Sequence, residues 1–347
     1  MPTPESQPVT ARLSRSAIFL VATIDGDKDS VGVIRGFLAD LSGIVRAVGF
    51  RDLDGGLTCV TGIGSAAWDR LFGAPRPKEL HAFREIDGVH HAPSTPGDLL
   101  FHIRAQQMDQ CFELAAQIMV RIGSVVTIVD ETHGFKYFDD RDLLGFVDGT
   151  ENPVGQECID AAVVGEEDPD FAGGSYVIVQ KYLHDLPKWE KVPVEQQEGI
   201  IGRKKLSDIE IMDDLKLPYA HNVLNVIQDE DGNQLDIVRD NMPFGTIGKG
   251  EYGTYFIGYA RSPSRTERML DNMFIGNPPG NYDRILDFSR AVTGSLFFIP
   301  TSTFLDDVTP GAPPAAGSSG DRAGEDDATG DAPVSPTPGS LNIGSLK

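Results

Sequence analysis

The chain has 347 residues, 40% hydrophobic and 24% charged, with 52 Asp and Glu against 30 Lys and Arg for a formal net charge of -22. That is the composition of a globular protein with length for two domains, each able to bury a core. Such an acidic chain is repelled by nucleic acid and anionic lipid, which sets both aside as partners, and its apolar runs are too short to span a bilayer.

Residues 1–14 are polar and carry prolines, which reads as loose chain. A strand is expected over 16–24; Arg12 and Arg15 precede it without a small-residue cleavage site, so it does not read as a signal peptide. Ile34, Phe37, Leu38, Leu41, Ile44 and Val45 then recur at helical spacing. Strands follow over 57–63 and 99–104, then a helix over 109–122 with Phe112, Ala115, Ala116 and Met119 on one side, then a strand over 125–129.

The second half repeats the rhythm. A strand over 174–182 opens it, and Ser175-Tyr-Val-Ile-Val-Gln-Lys echoes Ser16-Ala-Ile-Phe-Leu-Val-Ala. A helix over 186–197 follows, then a hairpin of 223–228 and 234–239 across Asp229-Glu-Asp-Gly-Asn. A strand over 252–259, helices over 264–273 and 283–292 and a last strand over 295–300 complete it. Two βαββαβ halves predict an α+β fold, a duplicated ferredoxin-like architecture with antiparallel sheets and peripheral helices. The modules divide as 1–144 and 145–305.

Residues 306–338 are rich in Pro, Gly, Ala, Ser and Asp and cannot bury enough surface to offset their ordering entropy, so they read as a flexible linker. The chain then carries Gly339-Ser-Leu-Asn-Ile-Gly-Ser-Leu-Lys347. Leu341, Ile343 and Leu346 suit a docking peptide on a tether, with an ordinary frayed terminus as the plainer alternative.

Three cysteines, at 59, 111 and 158, make neither a disulfide framework nor a zinc site and fit a reducing cytoplasm. Gly62-Ile-Gly-Ser-Ala-Ala lacks the third glycine of a dinucleotide fingerprint. The Asp229 loop has its glycine at the wrong position for a calcium loop, and the adjacent His90 and His91 cannot share a helix face as metal ligands do.

The most unusual string is Gly145-Phe-Val-Asp-Gly-Thr-Glu-Asn-Pro153. Gly149 permits a tight turn that presents the Asp148 carboxylate. Taken alone, an Asp-Gly pair is more often a plain surface turn. This string, however, resembles the Gly-x-x-Asp-Gly signature of the dye-decolourising peroxidases in its long form. Three further pieces of that family's pattern follow in order. His221, in Leu217-Pro-Tyr-Ala-His-Asn, stands where the family has its proximal haem ligand, the usual role of a neutral imidazole at peroxidase iron. Ile237-Val-Arg-Asp-Asn-Met-Pro-Phe-Gly245 matches the distal arginine and asparagine of the B-type subgroup, giving Arg239 and Asn241, which share a face if the segment is a strand. Asp283 and Asp287 lie four apart, hence on one helical face, and one resembles the acid that orients the proximal histidine; Asp283 is favoured. Arg203, in Ile201-Gly-Arg-Lys, resembles a position near a haem propionate. Phe256 and Phe274 suit a haem wall and equally a core.

The resemblance covers residues 16–304. It implies one non-covalent haem b per chain, held mainly by the second half with iron on His221. It also implies an enzyme that reduces hydrogen peroxide through a ferryl intermediate and oxidises dyes, phenols or other small organic donors. Asp148 would act as acid–base, Arg239 would stabilise developing negative charge and Asn241 would position peroxide. Residues 339–347 resemble the cargo-loading peptide of peroxidases housed in encapsulin shells. That implies a shell partner gripped through Leu341, Ile343 and Leu346, and a cytoplasmic site inside the nanocompartment. A homo-oligomer is expected. The alternative is a non-peroxidative haem carrier or iron-removing protein, which shares His221 but needs no rapid reaction with peroxide.

Overall fold

The computed structural model describes residues 4–149 and 152–310; the linker beyond 310 and the 339–347 peptide lie outside them. In the first half, β1 (Ser16–Ile24), α1 (Lys28–Gly49), β2 (Thr58–Gly64), β3 (Leu99–Ala105), α2 (Met108–Ile122) and β4 (Val126–Phe135) follow in order. In the second, β5 (Ser175–His184), β6 (Val238–Arg239), β7 (Met242–Thr246), β8 (Glu251–Ala260), α3 (Pro263–Phe274), β9 (Ser289–Ala291) and β10 (Ser295–Ile299) repeat the plan.

Among the described residues these ten strands form one sheet, in the order β6-β8-β5-β10-β2-β3-β1-β4, with β7 also on β8 and β9 also on β5. Every pairing is antiparallel. Within each half the strands stand second, third, first, fourth, which is the duplicated ferredoxin-like arrangement. The halves meet where Phe297 and Phe298 of β10 oppose Gly64 and Ile63 of β2. A Cβ on Gly62 would come within 2.8 Å of the Phe297 Cβ, so only glycine allows the contact.

The apolar run of β1 is buried on both faces for a simple reason. One face packs Ile18 and Leu20 against α1 (Ile34, Phe37, Leu38) and α2 (Leu114, Ile118) in the main core. The other packs Phe19 and Val21 with Val177, Val179, Tyr255, Ile257 and Tyr259 of the second half. The helices start where local chemistry allows: Asp27 caps α1 by accepting from Ser30 N at 2.7 Å, and Ser262 caps α3 with Pro263 at its first turn.

Several sequence expectations need correction. The 186–197 helix is two pieces, Leu186–Trp189 and Val194–Ile201, because Pro193 cannot continue a helix. The expected 283–292 helix is a 3-10 turn, Arg284–Asp287, followed by β9, so Asp283 and Asp287 do not share an α-helical face. The strand expected from 223 begins at Ile227, since His221–Leu224 is a helical turn. On α2 the inward residues are Cys111, Leu114, Ile118 and Ile122, while Phe112 is exposed. The Asp229 loop is a hairpin turn: its carboxylate accepts from Asp231 N at 2.9 Å and Asn233 N at 2.8 Å. Cys59, Cys111 and Cys158 are all free and buried. Among the described residues no helix is long and apolar enough to cross a membrane.

Candidate active site

Along β8, Thr254 and Phe256 face one way and Tyr255 and Ile257 the other, as the period of two requires. The first pair looks away from the second core, toward α3. Between β8, β5, α3 and the loops around them lies a cavity that is more apolar than polar, as small-molecule and cofactor sites are. Its apolar wall includes Phe146, Ile201, Ile237, Phe256, Met269 and Leu270. Every lining residue lies at or beyond Asp142, after β4, so the second half and the segment leading into it build the cavity.

Two histidines line it. His184 is engaged at both nitrogens, Nε2 with the Thr254 hydroxyl at 3.0 Å and Nδ1 with the Ser289 hydroxyl at 2.7 Å. Burial pushes its pKa down to about 4, so it stays neutral and structural. His221 differs. Its Nδ1–H donates to Asp283 Oδ2 at 2.6 Å, and Asp283 is fully buried. Burial alone would lower the His221 pKa, but the charge and hydrogen bond of Asp283 outweigh it and hold it above the ordinary histidine value. Asp283 is fixed in turn, capping the 3-10 turn by accepting from Ile285 N at 3.0 Å. With Nδ1 occupied, Nε2 is the nitrogen left to meet a metal.

The other polar cluster in the wall is Asp148, Arg239 and Asn241. Gly149, at φ 80°, turns the chain so that Asp148 faces Asn241, whose Nδ2 donates to Asp148 Oδ2 at 3.2 Å. Asn241 Oδ1 accepts from Ile257 N at 3.1 Å, which ties it to β8. A second hollow is also lined by Asp148, Arg239 and Asn241, together with Leu13, Tyr137 and Arg141.

Of Asp287, Phe256, Phe274 and Arg203, only Phe256 is on the cavity wall. Asp287 accepts from Tyr282 Oη at 3.0 Å and pairs with His90 at 3.0 Å, not with His221. Phe256 is on the wall, whereas Phe274 is fully buried in the main core, because it turns inward at the end of α3. Arg203 is absent from the wall; its Nε and Nη2 donate to Asp208 at 3.0 Å.

Sequence patterns single out neither Asp142 nor Asn152 as a site residue. Asp142 lines the cavity, and burial pushes its carboxyl up to about 7, with the charge of Asp148 adding to the rise. Its place depends on an isolated bridge between Arg141 and Val147 that no periodicity reveals. Asn152 stands in the 145–153 string, but its partner is the distant backbone of Arg239, 2.9 Å and 2.6 Å away.

A haem fits these residues. The cavity is mainly apolar, it offers one histidine with a single nitrogen available, and the buried Thr266 hydroxyl on its wall has no hydrogen-bond partner among the described residues. No group of three or more His, Cys, Asp or Glu that could hold a metal ion occurs among the described residues.

The comparisons agree with that chemistry. Two family models match in succession, Dyp-type peroxidase, N-terminal, over residues 6–136 and Dyp-type peroxidase, C-terminal, over residues 139–304. A dye-decolorizing peroxidase of Rhodococcus erythropolis is 59% identical over 342 residues, 98% of this chain and 96% of its relative. The encapsulated DyP-type peroxidase from Mycobacterium smegmatis, solved by cryo-EM, matches with TM-score 0.87 and 63% identity, over 90% of this chain and 100% of that one. A Rhodococcus jostii RHA1 DypB variant in complex with heme matches with TM-score 0.86 and 53% identity, over 87% and 98%. A non-peroxidative haem handler is not favoured by relatives of this kind. The chain belongs to the Dyp-type peroxidase family and is a peroxidase enzyme.

Proposed function

We propose that the cavity holds one haem b per chain on His221 Nε2 and that Asp148, Arg239 and Asn241 act on hydrogen peroxide. The observation that carries this is the convergence, in one apolar cavity, of a carboxylate-tethered histidine and a separate carboxylate–amide–guanidinium cluster. Haem, when bound, supplies the iron at which the O–O bond is cleaved.

The protein's own contribution follows from its geometry. Asp283 fixes the His221 tautomer and makes the imidazole a stronger donor. Asp148, held toward Asn241, can take a proton from peroxide on a carboxylate oxygen and return it to the departing oxygen. The Arg239 guanidinium favours negative charge developing on that oxygen. Asn241 offers an amide to orient peroxide. The second hollow reaches the same three residues and suits entry of a molecule as small as peroxide. The electron donor is a small organic molecule of dye or phenol type.

The 339–347 peptide is proposed to load the enzyme into an encapsulin shell through Leu341, Ile343 and Leu346. The encapsulated relative and the Pro-, Gly-, Ala-, Ser- and Asp-rich composition of residues 306–338 support this. A homo-oligomer is proposed as the packaged form. Leu206, Ile209, Met212 and Leu215 are exposed within ten residues, apolar surface of the kind that assembly covers.

Haem titration tests the ligand assignment. The parent chain and His184→Ala should each develop a Soret band at one haem per chain, and His221→Ala should lose or markedly alter it. Loss in His184→Ala with retention in His221→Ala would refute the assignment.

A further inference from the structure

Between Arg239 and Asn241 lies Asp240, which faces away from the cavity and is 3% exposed. Its Oδ2 accepts from Arg104 Nη1 at 2.5 Å. Arg104 lies on β3, none of whose residues lines the cavity, and its Nη2 donates to the Pro8 carbonyl at 2.5 Å. His102, two residues earlier on the same face of β3, stands 3.9 Å from that Asp240 oxygen through Nε2. Its Nδ1 accepts from the Tyr259 hydroxyl of β8 at 2.6 Å. Burial and the nearby Arg104 charge hold His102 neutral, so Arg104 is the cation that answers Asp240.

This cluster is poorly built for stability. Asp240 Oδ1, Arg104 Nε and His102 Nε2 are buried without a hydrogen-bond partner among the described residues. A buried ion pair is weak evidence for stability even when well satisfied, and its best-attested use is fixing register. Register matters here. Val238 and Arg239 oppose Tyr259 and Gly258, and Met242 opposes Tyr255, so Asp240 stands opposite Ile257. Asp240 N donates to Ile257 O at 3.2 Å, and Ile257 N donates to Asn241 Oδ1 at 3.1 Å. A slip of one residue would turn Arg239 and Asn241 away from the cavity and present Asp240 to it.

We propose that Arg104 is a positioning residue of the peroxidase site: by pinning Asp240 it sets the register in which Arg239 and Asn241 face the cavity. A strand that lines none of the cavity thus governs the residues that face it. The inference rests on the reading of Arg239 and Asn241 as the residues that act on peroxide.

The test uses the haem-loaded enzyme with Arg104→Met, Arg104→Lys and Arg104→Met/Asp240→Asn. Hydrogen exchange at the Asp240 and Ile257 amides reports register, and the peroxide rate constant per bound haem reports function. Arg104→Met should speed exchange at both amides and slow the peroxide reaction about tenfold or more, since small misplacements of this kind cost up to about 100-fold. The double variant removes the unpaired buried charge, so it should regain thermal stability without regaining the rate. Arg104→Lys should restore part of both readouts. If Arg104→Met proves too unstable to study, the double variant decides alone. Native exchange and a rate within about twofold of the parent in the double variant, a change too small to signify lost transition-state stabilisation, would overturn the proposal. Arg239→Leu is the separate control. If it leaves the peroxide rate unchanged, the reading of the peroxide residues fails, while the exchange data still decide the register pin.

Discussion

Asn152 pairs with Arg239 as a strand would. Its Oδ1 accepts from Arg239 N at 2.9 Å, and its Nδ2 donates to Arg239 O at 2.6 Å. The end of the 145–153 string is thereby joined to the strand that carries Arg239. Asp148, four residues earlier, reaches the same strand through Asn241. The acid–base candidate and the charge-stabilising candidate are therefore held as one unit.

Asn152→Ala removes both hydrogen bonds and leaves two backbone groups to find water. It is expected to cost about 1–3 kcal/mol of stability and to slow the peroxide reaction about tenfold or more. Asn152→Asp keeps the acceptor but sets a carboxylate against the Arg239 carbonyl, so it should not rescue the rate. Urea unfolding and stopped flow on the two variants check both statements.

Asp283→Asn keeps the shape of the partner but loses the charge that raises the His221 pKa. Removing such an outer partner typically lowers metal affinity about 10–100-fold, and a haem titration should show a loss of that order. The same substitution at Asp287 should leave affinity unchanged, because Asp287 is committed to Tyr282 and His90.

The Asp142 carboxyl, raised to about 7, makes a pH-dependent difference in the haem-free protein. The folded state binds this proton more tightly than the unfolded chain, where a carboxyl titrates near ~4. Its contribution to stability is therefore complete below about 4 and is lost as pH rises through about 7. Asparagine mimics the protonated form. Asp142→Asn should gain stability over the parent progressively across that window, with a constant advantage above it. Urea unfolding at several pH values gives the answer, and an advantage independent of pH would contradict the assignment.

Removing residues 339–347 is expected to abolish co-purification with encapsulin shells while leaving the peroxide reaction of the free enzyme unchanged. Truncated chain that still loads would sink the docking reading.

What could be read from the sequence was local. The run Ser16–Ile24 and its echo at Ser175 mark the first strand of each half, and the alternation of cavity-facing and core-facing residues follows once β8 is placed. Pro193 could have warned that the 186–197 helix breaks. The choice between Asp283 and Asp287 could not be made from spacing, since it depends on a 3-10 turn that only one of them caps. Asp142, Asn152 and Arg104 act through partners far away in the chain, such as Arg104 with Asp240, and no periodicity carries such pairings. His221 stood out only through the family pattern; its distinction from His184 rests on which ring nitrogens are already engaged.

The most direct test of the central claim is stopped-flow mixing of the haem-loaded enzyme with stoichiometric hydrogen peroxide, alongside Arg239→Leu. The Soret band of the parent should shift within milliseconds, and the variant, with haem still bound, should respond far more slowly. A parent Soret band indifferent to peroxide would contradict the account.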